Sequence, residues 1–451
     1  MVALGLLALA PAPAPAQGLD RFLNIFRGSQ PPAQTSPAAA PSAPQISPSA
    51  PGGAPEWSGE SGASGHPLMT ADAIRTAAAN FRTCLEGIWP LAQKRGVSRA
   101  TYERHVLPLT PDLRIMDLLD QQPEFTKSFW DYLDILVNDE RIARGREMLA
   151  QHRAAFDGME RTYGVDRHII AAIWGVESKY GTLIGERPVV RSTATLACIG
   201  RRQDYFREEF LSTLEILERG DVTADHLKGS WAGAFGPTQF MPTTFKRFAV
   251  DFDRDGRRDI VDSPADFIAS TANLLKGNGW VPGQGWGYEV TIPQGFDYLL
   301  ADRSRQLTLT EWERLGLRRA GGQPFPRSTE KAYLLVPAGA RGPGFLMLTN
   351  FRVIMKYNPA EAYALAIGHL ADRLRGGTPF VQAWPREQRP LTLTERTEMQ
   401  ELLARRGFQI GDADGRFGPR SRAAIRDFQA SMGLVPDGFA TAELLEHLRR
   451  R

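Results

Sequence analysis

The sequence predicts a mainly α-helical protein with a small β-sheet, an EF-hand-like loop and a separate small helical unit at its C-terminus. Apolar residues recur at three- and four-residue spacing through much of residues 67–383, and two short strand-like runs interrupt them. The periodicity breaks beside prolines near Trp384 and then resumes. With 451 residues, 42% of them hydrophobic, the chain is long enough for two or three folded units.

The charge composition argues against nucleic acid as a partner. The chain carries 54 basic and 51 acidic residues, a formal net charge of +3. This balance provides no strong basic field of the kind that dominates nucleic-acid binding.

The N-terminus predicts export. A short apolar run followed by small residues in an A-x-A pattern predicts a secretory signal peptide over residues 1–16. The run lacks a preceding Lys or Arg, so we expect the natural start to lie upstream, and a disordered Ala/Pro tail is the alternative. No later run approaches the roughly 20 apolar residues that a membrane span needs.

Residues 17–66 are predicted to form a disordered linker. Pro, Ala, Ser and Gly dominate them from Ser29 onward, and branched apolar residues are almost absent. Such a composition cannot offset the entropy of ordering the chain. The chain's two cysteines, Cys84 and Cys198, could form a disulfide in an oxidising compartment, and two separately buried thiols are the alternative.

The long central region, residues 67–383, begins with a helical pattern for which Thr70 or Asp72 is a plausible N-cap. The same periodicity recurs in residues 140–165, 165–181 and 358–374. Two strand-like runs, AYLLVPAG and GFLMLTNF, predict the small sheet.

One carboxyl group stands beside an apolar helical face. Ile169, Ile170, Ile173 and Val176 form that face, and Glu177 lies next to it. Burial disfavours the charged form of a carboxyl group, which suits Glu177 to act as a general acid near neutral pH. The alternative is an ordinary ion pair with a nearby Lys or Arg at the helix end.

The segment DFDRDGRRDIVD has the D-x-D-x-D-G start of an EF-hand loop. Asp251, Asp253 and Asp255 alternate before the Gly256 turn, and Arg257 can supply its backbone carbonyl. Three like charges this close repel one another unless a cation lies between them, so we expect a structural Ca²⁺ ion.

Four segments occur in an order that resembles one known family. They are GVESKYG, SWAGAFGPTQFMPTTF, FAVDFDRDGRRDIVDSPADFIASTANLL and LTNFRVIMKYNPAEAYALAIGHLADRL. They resemble the motifs of the membrane-bound lytic transglycosylase B family over roughly residues 70–380. The resemblance implies a lysozyme-like catalytic domain over residues 67–383, a peptidoglycan substrate, a periplasmic location and no cofactor for catalysis. Membrane tethering is expected if the true N-terminus lies upstream.

The resemblance also implies roles for individual residues. Glu177 would protonate the bond between N-acetylmuramic acid and N-acetylglucosamine and then act as a base, giving a 1,6-anhydromuramoyl end. Glu186 is not expected to be a second acid. Gly233 and Gly236 would permit close backbone approach to a sugar, and Leu274 stands where relatives often carry an aromatic residue. The residues implied to contact the glycan are Tyr132, Ser230, Gln239, Tyr357, Asn358 and Tyr363.

For the Ca²⁺ site, the resemblance implies that Asp266 closes the loop from the following helix. Ser263 and Pro264 would be the cap and first turn of that helix. Asp262, at loop position twelve, is the alternative closing ligand.

Residues 390–451 resemble a peptidoglycan-binding domain of the three-helix type. Phe417, Ile425, Phe428 and Leu434 are predicted to form its core. Such a module would raise the local concentration of the enzyme on an insoluble wall.

Three other functions compete with a lytic transglycosylase. A hydrolytic muramidase would cut the same bond with water, and a non-catalytic peptidoglycan-binding scaffold would not cut it. A calcium sensor is disfavoured because the single EF-hand-like loop lacks a paired loop. The expected partner is the glycan strand, and the sequence identifies no cell-wall synthesis or division protein as a further partner.

Overall fold

The computed structural model describes residues 57–62, 65–119, 128–326 and 329–450. The predicted signal peptide and most of the predicted linker lie outside these residues. The described part is mainly helical with small sheets, which confirms the predicted fold class. None of its helices combines the length and the apolar character that crossing a bilayer requires.

The end of the predicted linker is part of the folded domain. Ser58 donates from its backbone and its hydroxyl to the carboxylate of Asp117 at 3.0 and 2.6 Å. The guanidinium of Arg75 lies 5.6 Å from the centre of the Trp57 ring. The prediction of a disordered linker up to residue 66 is therefore wrong for Trp57 to Gly62, where one aromatic ring and local hydrogen bonds hold the chain on the helices.

Ten helices make up the first part of the large domain as described. They are α1 (Ala71–Ala79), α2 (Phe81–Lys94), α3 (Arg99–His105), α4 (Arg114–Leu119), α5 (Phe129–Leu136), α6 (Asp139–Gln151), α7 (Arg153–Tyr163), α8 (Arg167–Ser178), α9 (Val189–Cys198) and α10 (Gln203–Arg219). The predicted N-cap is present at Thr70, whose side chain accepts from the backbone of Ala73.

Five more helices complete the large domain and three form the C-terminal module, again among the described residues. The first group is α11 (Pro242–Phe248), α12 (Pro264–Gly277), α13 (Leu309–Arg314), α14 (Thr349–Tyr357) and α15 (Glu361–Leu374). The module contains α16 (Leu393–Arg405), α17 (Pro419–Ser431) and α18 (Ala442–Arg449).

The strands of the described residues form two antiparallel sheets. A two-stranded sheet joins β1 (Arg187–Pro188) to β2 (Lys228–Gly229). The five-stranded sheet contains β3 (Gly287–Thr291), β4 (Leu307–Thr308), β5 (Arg318–Arg319), β6 (Lys331–Leu335) and β7 (Gly344–Met347). Its strand order is β4-β6-β7-β3-β5. The two predicted strand-like runs contain β6 and β7, which pair with Leu334 opposite Leu346.

Separate apolar cores stabilise these parts. One core surrounds α8, α12, α14 and α15, and a second joins α2, α9 and α10. A third lies behind the five-stranded sheet around Trp312, and a fourth is confined to the C-terminal module. Ile425 and Phe428 are buried in the module as predicted, but the prediction for Leu434 is wrong, because it is 41% exposed in the turn after α17.

A disulfide joins the two cysteines. Cys84 in α2 and Cys198 at the end of α9 are bonded, with their Cα atoms 6.0 Å apart. The bond closes a sequence separation of 114 residues. It ties the N-terminal helices to the helix pair α9 and α10.

Candidate active site

Glu177 lies near the C-terminal end of a mostly buried helix. The carboxylate of Asp166 caps α8 by accepting from the backbone of His168 at 2.8 Å. From Ile169 to Ser178 every residue of α8 is buried, and Glu177 is 1% exposed. The predicted position beside an apolar face is therefore correct, and it leaves this carboxyl almost entirely removed from bulk water.

A tyrosine from a distant part of the chain contacts this carboxyl group. The hydroxyl of Tyr363 donates to Oε1 of Glu177 at 2.6 Å across a sequence separation of 186 residues. The contact exists because α15 packs along α8 within one core. A short hydrogen bond in a buried site fixes the orientation of the carboxyl group.

The segment SWAGAFGPTQF is hydrogen-bonded to α8 and to α14. Ser178, next to Glu177, donates its hydroxyl to the carbonyl of Pro237 at 2.6 Å. On the other side the Tyr357 hydroxyl, at the end of α14, donates to the carbonyl of Thr238. The amide nitrogen of Gln239 donates to the carbonyl of Ile184 at 2.9 Å. The structure thus brings Gln239 to the loop that follows Glu177.

Ser230 and Asn358 are also buried, and each has a backbone contact. The hydroxyl of Ser230 accepts from the backbone N–H of Ala234 at 3.0 Å. The Oδ1 atom of Asn358 accepts from the backbone of Ala360 at 3.1 Å, while its Nδ2 atom has no hydrogen-bond partner among the described residues. A buried amide donor without a partner is uncommon and suits a position where a ligand completes the hydrogen bonding.

The candidate tyrosines do not offer open ring faces for sugar stacking. Tyr357 and Tyr363 are each 1% exposed and Tyr132 is 3% exposed. All three lie in the core around α8. The hydroxyls of Tyr357 and Tyr363 bind protein atoms and the rings pack in the core, and the glycan contacts implied for the three tyrosines stay predictions.

The two glycines expected to approach a sugar instead approach other parts of the protein. A Cβ atom added at Gly233 would lie 2.6 Å from the Thr193 methyl group, and one at Gly236 would lie 2.8 Å from the carbonyl of Ile260. Both have positive φ angles, 95° and 73°, which favour glycine. These positions are glycine because the segment is packed against its neighbours.

Two buried residues near Glu177 were missed by sequence reasoning. Tyr180 has a φ of 57°, and its ring fits against Gly175, where an added Cβ would lie 2.5 Å from the ring. Burial raises the pKa of its hydroxyl. Arg141 donates to the carbonyl of Gly175 at 3.1 Å, and burial lowers its pKa. The glycine in the middle of the helical pattern was the available signal, since it marks a close approach.

Glu186 and Leu274 differ in exposure. Glu186 is exposed in the loop after Gly185. Leu274 is 4% exposed and belongs to the core around α8, so it offers no surface to a ligand.

The acidic loop brings three carboxylates together. One oxygen from each of Asp251, Asp253 and Asp255 lies within 4.8 Å of the others. The backbone N–H of Gly256 donates to Asp251 at 2.9 Å and closes the turn. Oxygen donors converging from alternate residues fit a hard cation such as Ca²⁺.

Asp266 lies below the loop, at the start of α12. Its carboxylate accepts from the backbone of Phe252 at 2.7 Å and of Asp259 at 2.8 Å. Burial, together with the charge of Asp253, raises the pKa of Asp266 to about 6. The group of three carboxylates does not include it. Asp262 points elsewhere and contacts the ring of His226 at 2.5 Å.

A helical domain with a buried, tyrosine-bound carboxyl group, joined to a small separate helical module, is compatible with an enzyme that cleaves polysaccharide and carries its own substrate-binding domain. Comparison with known proteins identifies the kind of enzyme. The model of the transglycosylase SLT domain matches residues 80–372, and that of a peptidoglycan binding domain matches residues 392–448. The chain belongs to the transglycosylase SLT family and is a lytic transglycosylase of peptidoglycan.

Three relatives illustrate the similarity. Membrane-bound lytic murein transglycosylase B of Escherichia coli (strain K12) is 31% identical over 248 residues, which are 53% of this chain and 66% of that protein. SltB3 of Pseudomonas aeruginosa, solved with NAG-anhNAM-pentapeptide, is 46% identical, with a TM-score of 0.79 over 82% of this chain and 99% of that one. Slt35 of Escherichia coli, solved with calcium, is 27% identical, with a TM-score of 0.55 over 70% of this chain and 95% of that one.

Proposed function

We propose that Glu177 is the acid and then the base of a non-hydrolytic cleavage of the β-1,4 bond between N-acetylmuramic acid and N-acetylglucosamine. The observation that supports this most strongly is the buried Glu177 carboxyl held by the Tyr363 hydroxyl at 2.6 Å. Family membership supplies the substrate, and the buried position supplies a carboxyl group that is easily kept protonated.

The reaction needs one carboxyl group. Glu177 gives its proton to the glycosidic oxygen as the bond from muramoyl C1 to that oxygen breaks. The resulting carboxylate takes the proton of the muramoyl C6 hydroxyl, whose oxygen forms the new bond to C1. The product is a 1,6-anhydromuramoyl end, no water is consumed, and Glu177 is protonated again. Glycosidases that use water generally need a second carboxylate flanking the bond.

The neighbouring residues position the acid and the glycan. Tyr363 orients the carboxyl group, and Tyr357 and Tyr132 support the helices around it. Ser230, Gln239 and the unpaired Nδ2 of Asn358 are the polar groups that we assign to the glycan. Each is fixed by backbone contacts or by burial, so little reorganisation is needed when substrate binds.

Mass spectrometry of soluble products from purified peptidoglycan tests the proposal. The wild-type chain is expected to release anhydromuropeptides, and Glu177→Gln, which keeps the shape but cannot donate a proton, is expected to release none. Glu186→Gln is the matched control, because Glu186 is an exposed glutamate nine residues further along. Reducing-end products would instead indicate a muramidase, and full activity in Glu177→Gln would refute the assignment of the acid.

We also propose that the acidic loop holds a structural Ca²⁺ ion. Asp251, Asp253 and Asp255 with the carbonyl of Arg257 would bind it, and Asp266 would close the site from α12. The relative Slt35, which was solved with calcium, supports this. The ion would neutralise the clustered carboxylates and stabilise the loop. We assign it no chemical step.

The remaining proposals concern location. We propose that the chain is exported by residues 1–16 and acts in the periplasm, since its substrate is the cell wall. The C-terminal module would keep the enzyme on the wall. Fractionation of cells that produce the tagged full-length chain, with and without residues 1–16, would test export: the tag should leave the cytoplasm only when those residues are present.

A further inference from the structure

A buried glutamate outside the candidate active site holds the helix that follows the SWAGAFGPTQF segment. Glu209 lies on α10 and is 0% exposed. Its two carboxylate oxygens accept from the backbone N–H and from the hydroxyl of Thr243, at 2.9 and 2.8 Å. Thr243 is the second residue of α11. Because burying a carboxyl group is costly unless it is hydrogen-bonded, these two contacts account for its presence between the helices.

The contact takes the place of a local helix cap. The N-cap of α11 is Met241, whose thioether is a weak hydrogen-bond acceptor. Pro242 follows and has no N–H, so the N–H of Thr243 is the first backbone donor of the helix that needs a partner. Glu209 accepts from it as an N-cap side chain normally would. The start of α11 is therefore fixed by α10 and not by its own cap residue.

The start of α11 comes directly after a tight loop. Phe235 and Phe240 exchange two backbone hydrogen bonds of 2.9 Å and close the loop over residues 236–239. Gln239 is the last residue of this loop, and its φ of 51° lies in the left-handed region that residues other than glycine seldom adopt. Such a backbone conformation persists only where the surrounding structure holds it.

The loop and α11 are joined at two places. The three residues between Gln239 and Thr243 are all buried, so the chain cannot move freely there. The ring of Phe245, in α11, lies 5.6 Å from the ring of Phe235 at the other end of the loop. A shift of α11 would therefore reach both ends of the loop.

We propose that Glu209 is a positioning residue for Gln239: by holding Thr243 it fixes α11 and so places the Gln239 amide for glycan binding. The inference rests on the proposed function, which assigns Gln239 to the glycan. The amide nitrogen of Gln239 also donates to the carbonyl of Ile184 at 2.9 Å, on the loop that follows Glu177. Glu209 acts on substrate binding through Gln239, and we assign it no proton transfer.

Steady-state kinetics of the full-length chain on soluble, peptide-free glycan strands test this proposal. Glu209→Gln keeps the shape of the side chain but replaces one acceptor oxygen with an NH2 group, which donates instead. We expect KM to rise about fivefold to tenfold while kcat stays within about twofold of wild type, because Gln239 is assigned to binding and not to proton transfer.

Two matched controls lie on the same helix. Glu208→Gln changes the adjacent, exposed glutamate, which pairs with Arg95. Glu215→Gln breaks the ion pair with Lys246 at 2.6 Å and so loosens α10 from the later part of α11. Both should keep KM within about twofold of wild type, because exposed ion pairs contribute little. A rise in KM with Glu215→Gln as large as that with Glu209→Gln would overturn the proposal, since general contact between the helices would then explain both.

A double variant separates positioning from simple stabilisation. Gln239→Asn shortens the amide side chain, and Asn tolerates the left-handed backbone better than most residues. We expect it to raise KM on its own, and Glu209→Gln to raise KM no further in that background. An additive rise would overturn the proposal, because Glu209 would then act through another residue. If Glu209→Gln fails to fold, Thr243→Val takes its place: it keeps the side-chain shape, removes one of the two hydrogen bonds and should also raise KM.

The same measurements distinguish this inference from the proposed function. If Gln239→Asn raises KM while Glu209→Gln and Thr243→Val do not, the positioning role of Glu209 is refuted and the assignment of Gln239 stands. If Gln239→Asn leaves KM unchanged, the assignment of Gln239 to the glycan is refuted and this inference falls with it. Reducing-end products from the wild-type chain would refute the non-hydrolytic reaction alone, because the comparison of KM values does not depend on the product ends.

Discussion

The contact between Arg422 and Glu361 allows a prediction about how the C-terminal module affects the surroundings of Glu177. Glu361 is the first residue of α15, and Tyr363, two residues later, donates to Glu177. The Glu361 side chain is 4% exposed and binds Arg303 of the large domain and Arg422 of the module. Burial raises the pKa of Glu361, but the charges of Arg422 and Arg303 outweigh it and hold the pKa below its usual value.

Arg422→Met removes one of the two cations and leaves the other in place. A hydrogen bond to a buried charge contributes about 1.5–3 kcal/mol, and the Arg422 side chain is 37% exposed, so we expect a loss of about 1–2 kcal/mol in the free energy of unfolding. Removing both arginines leaves a buried, unpaired carboxylate and should cost about 3–5 kcal/mol. Because α15 carries Tyr363, kcat on peptide-free glycan should fall as well, by at most about thirtyfold.

Chemical denaturation of Arg422→Met, Glu361→Gln and the double variant gives the coupling energy between the two side chains. We expect coupling of about 1 kcal/mol and a lowered kcat in both single variants, while Arg420→Met, on the same helix but outside the pair, changes neither. Additive effects on stability together with an unchanged kcat would refute the reasoning, because the module would then not act on α15.

Four further predictions follow from other contacts. Tyr363→Phe should lower kcat about tenfold to a hundredfold with little change in KM, since it removes the hydroxyl that orients Glu177; steady-state kinetics on soluble glycan would show this, and wild-type rates would contradict it. Replacing Cys84 and Cys198 with Ala should lower stability by about 4 kcal/mol, because the bond closes a loop of more than a hundred residues; equal denaturation midpoints for the variant and the oxidised chain would oppose this. EDTA should lower the melting temperature of the wild-type chain but not that of Asp253→Asn, with Asp262→Asn behaving like wild type. Burial lowers the pKa of His369 to about 4, so this residue stays neutral in the fold while the unfolded chain takes up a proton; stability should fall as pH drops from about 6.5 to 4, and less so in His369→Gln.

The local parts of the structure were predictable from the sequence. The apolar face of α8 placed Glu177 correctly, the Asp-x-Asp-x-Asp-Gly spacing gave the three converging carboxylates, and the strand-like runs gave β6 and β7. The N-caps at Thr70 and Ser263 were likewise indicated by residue type alone. Each of these features depends on residues that are close in the chain, where periodicity and capping chemistry act.

The features that needed the structure depend on distant residues. Nothing local indicates that Tyr363 contacts Glu177, or that Tyr357 and Tyr132 are buried instead of lining an open surface. Trp57 lies in a segment whose composition predicts disorder, yet it is held on the domain by Arg75. Because composition is an average over a segment, it does not indicate that a single aromatic residue at the end of that segment packs on the domain.

The bond between Tyr363 and Glu177 has a consequence for the time at which the enzyme becomes active. The two residues are 186 positions apart, and α15 must dock on α8 before they meet. A chain that has been synthesised or threaded only as far as residue 350 contains Glu177 without its hydrogen-bond partner and lacks the part of the core that α14 and α15 supply. The carboxyl group of Glu177 therefore gains its hydrogen-bond partner only after residue 363 has been made and α15 has docked on α8.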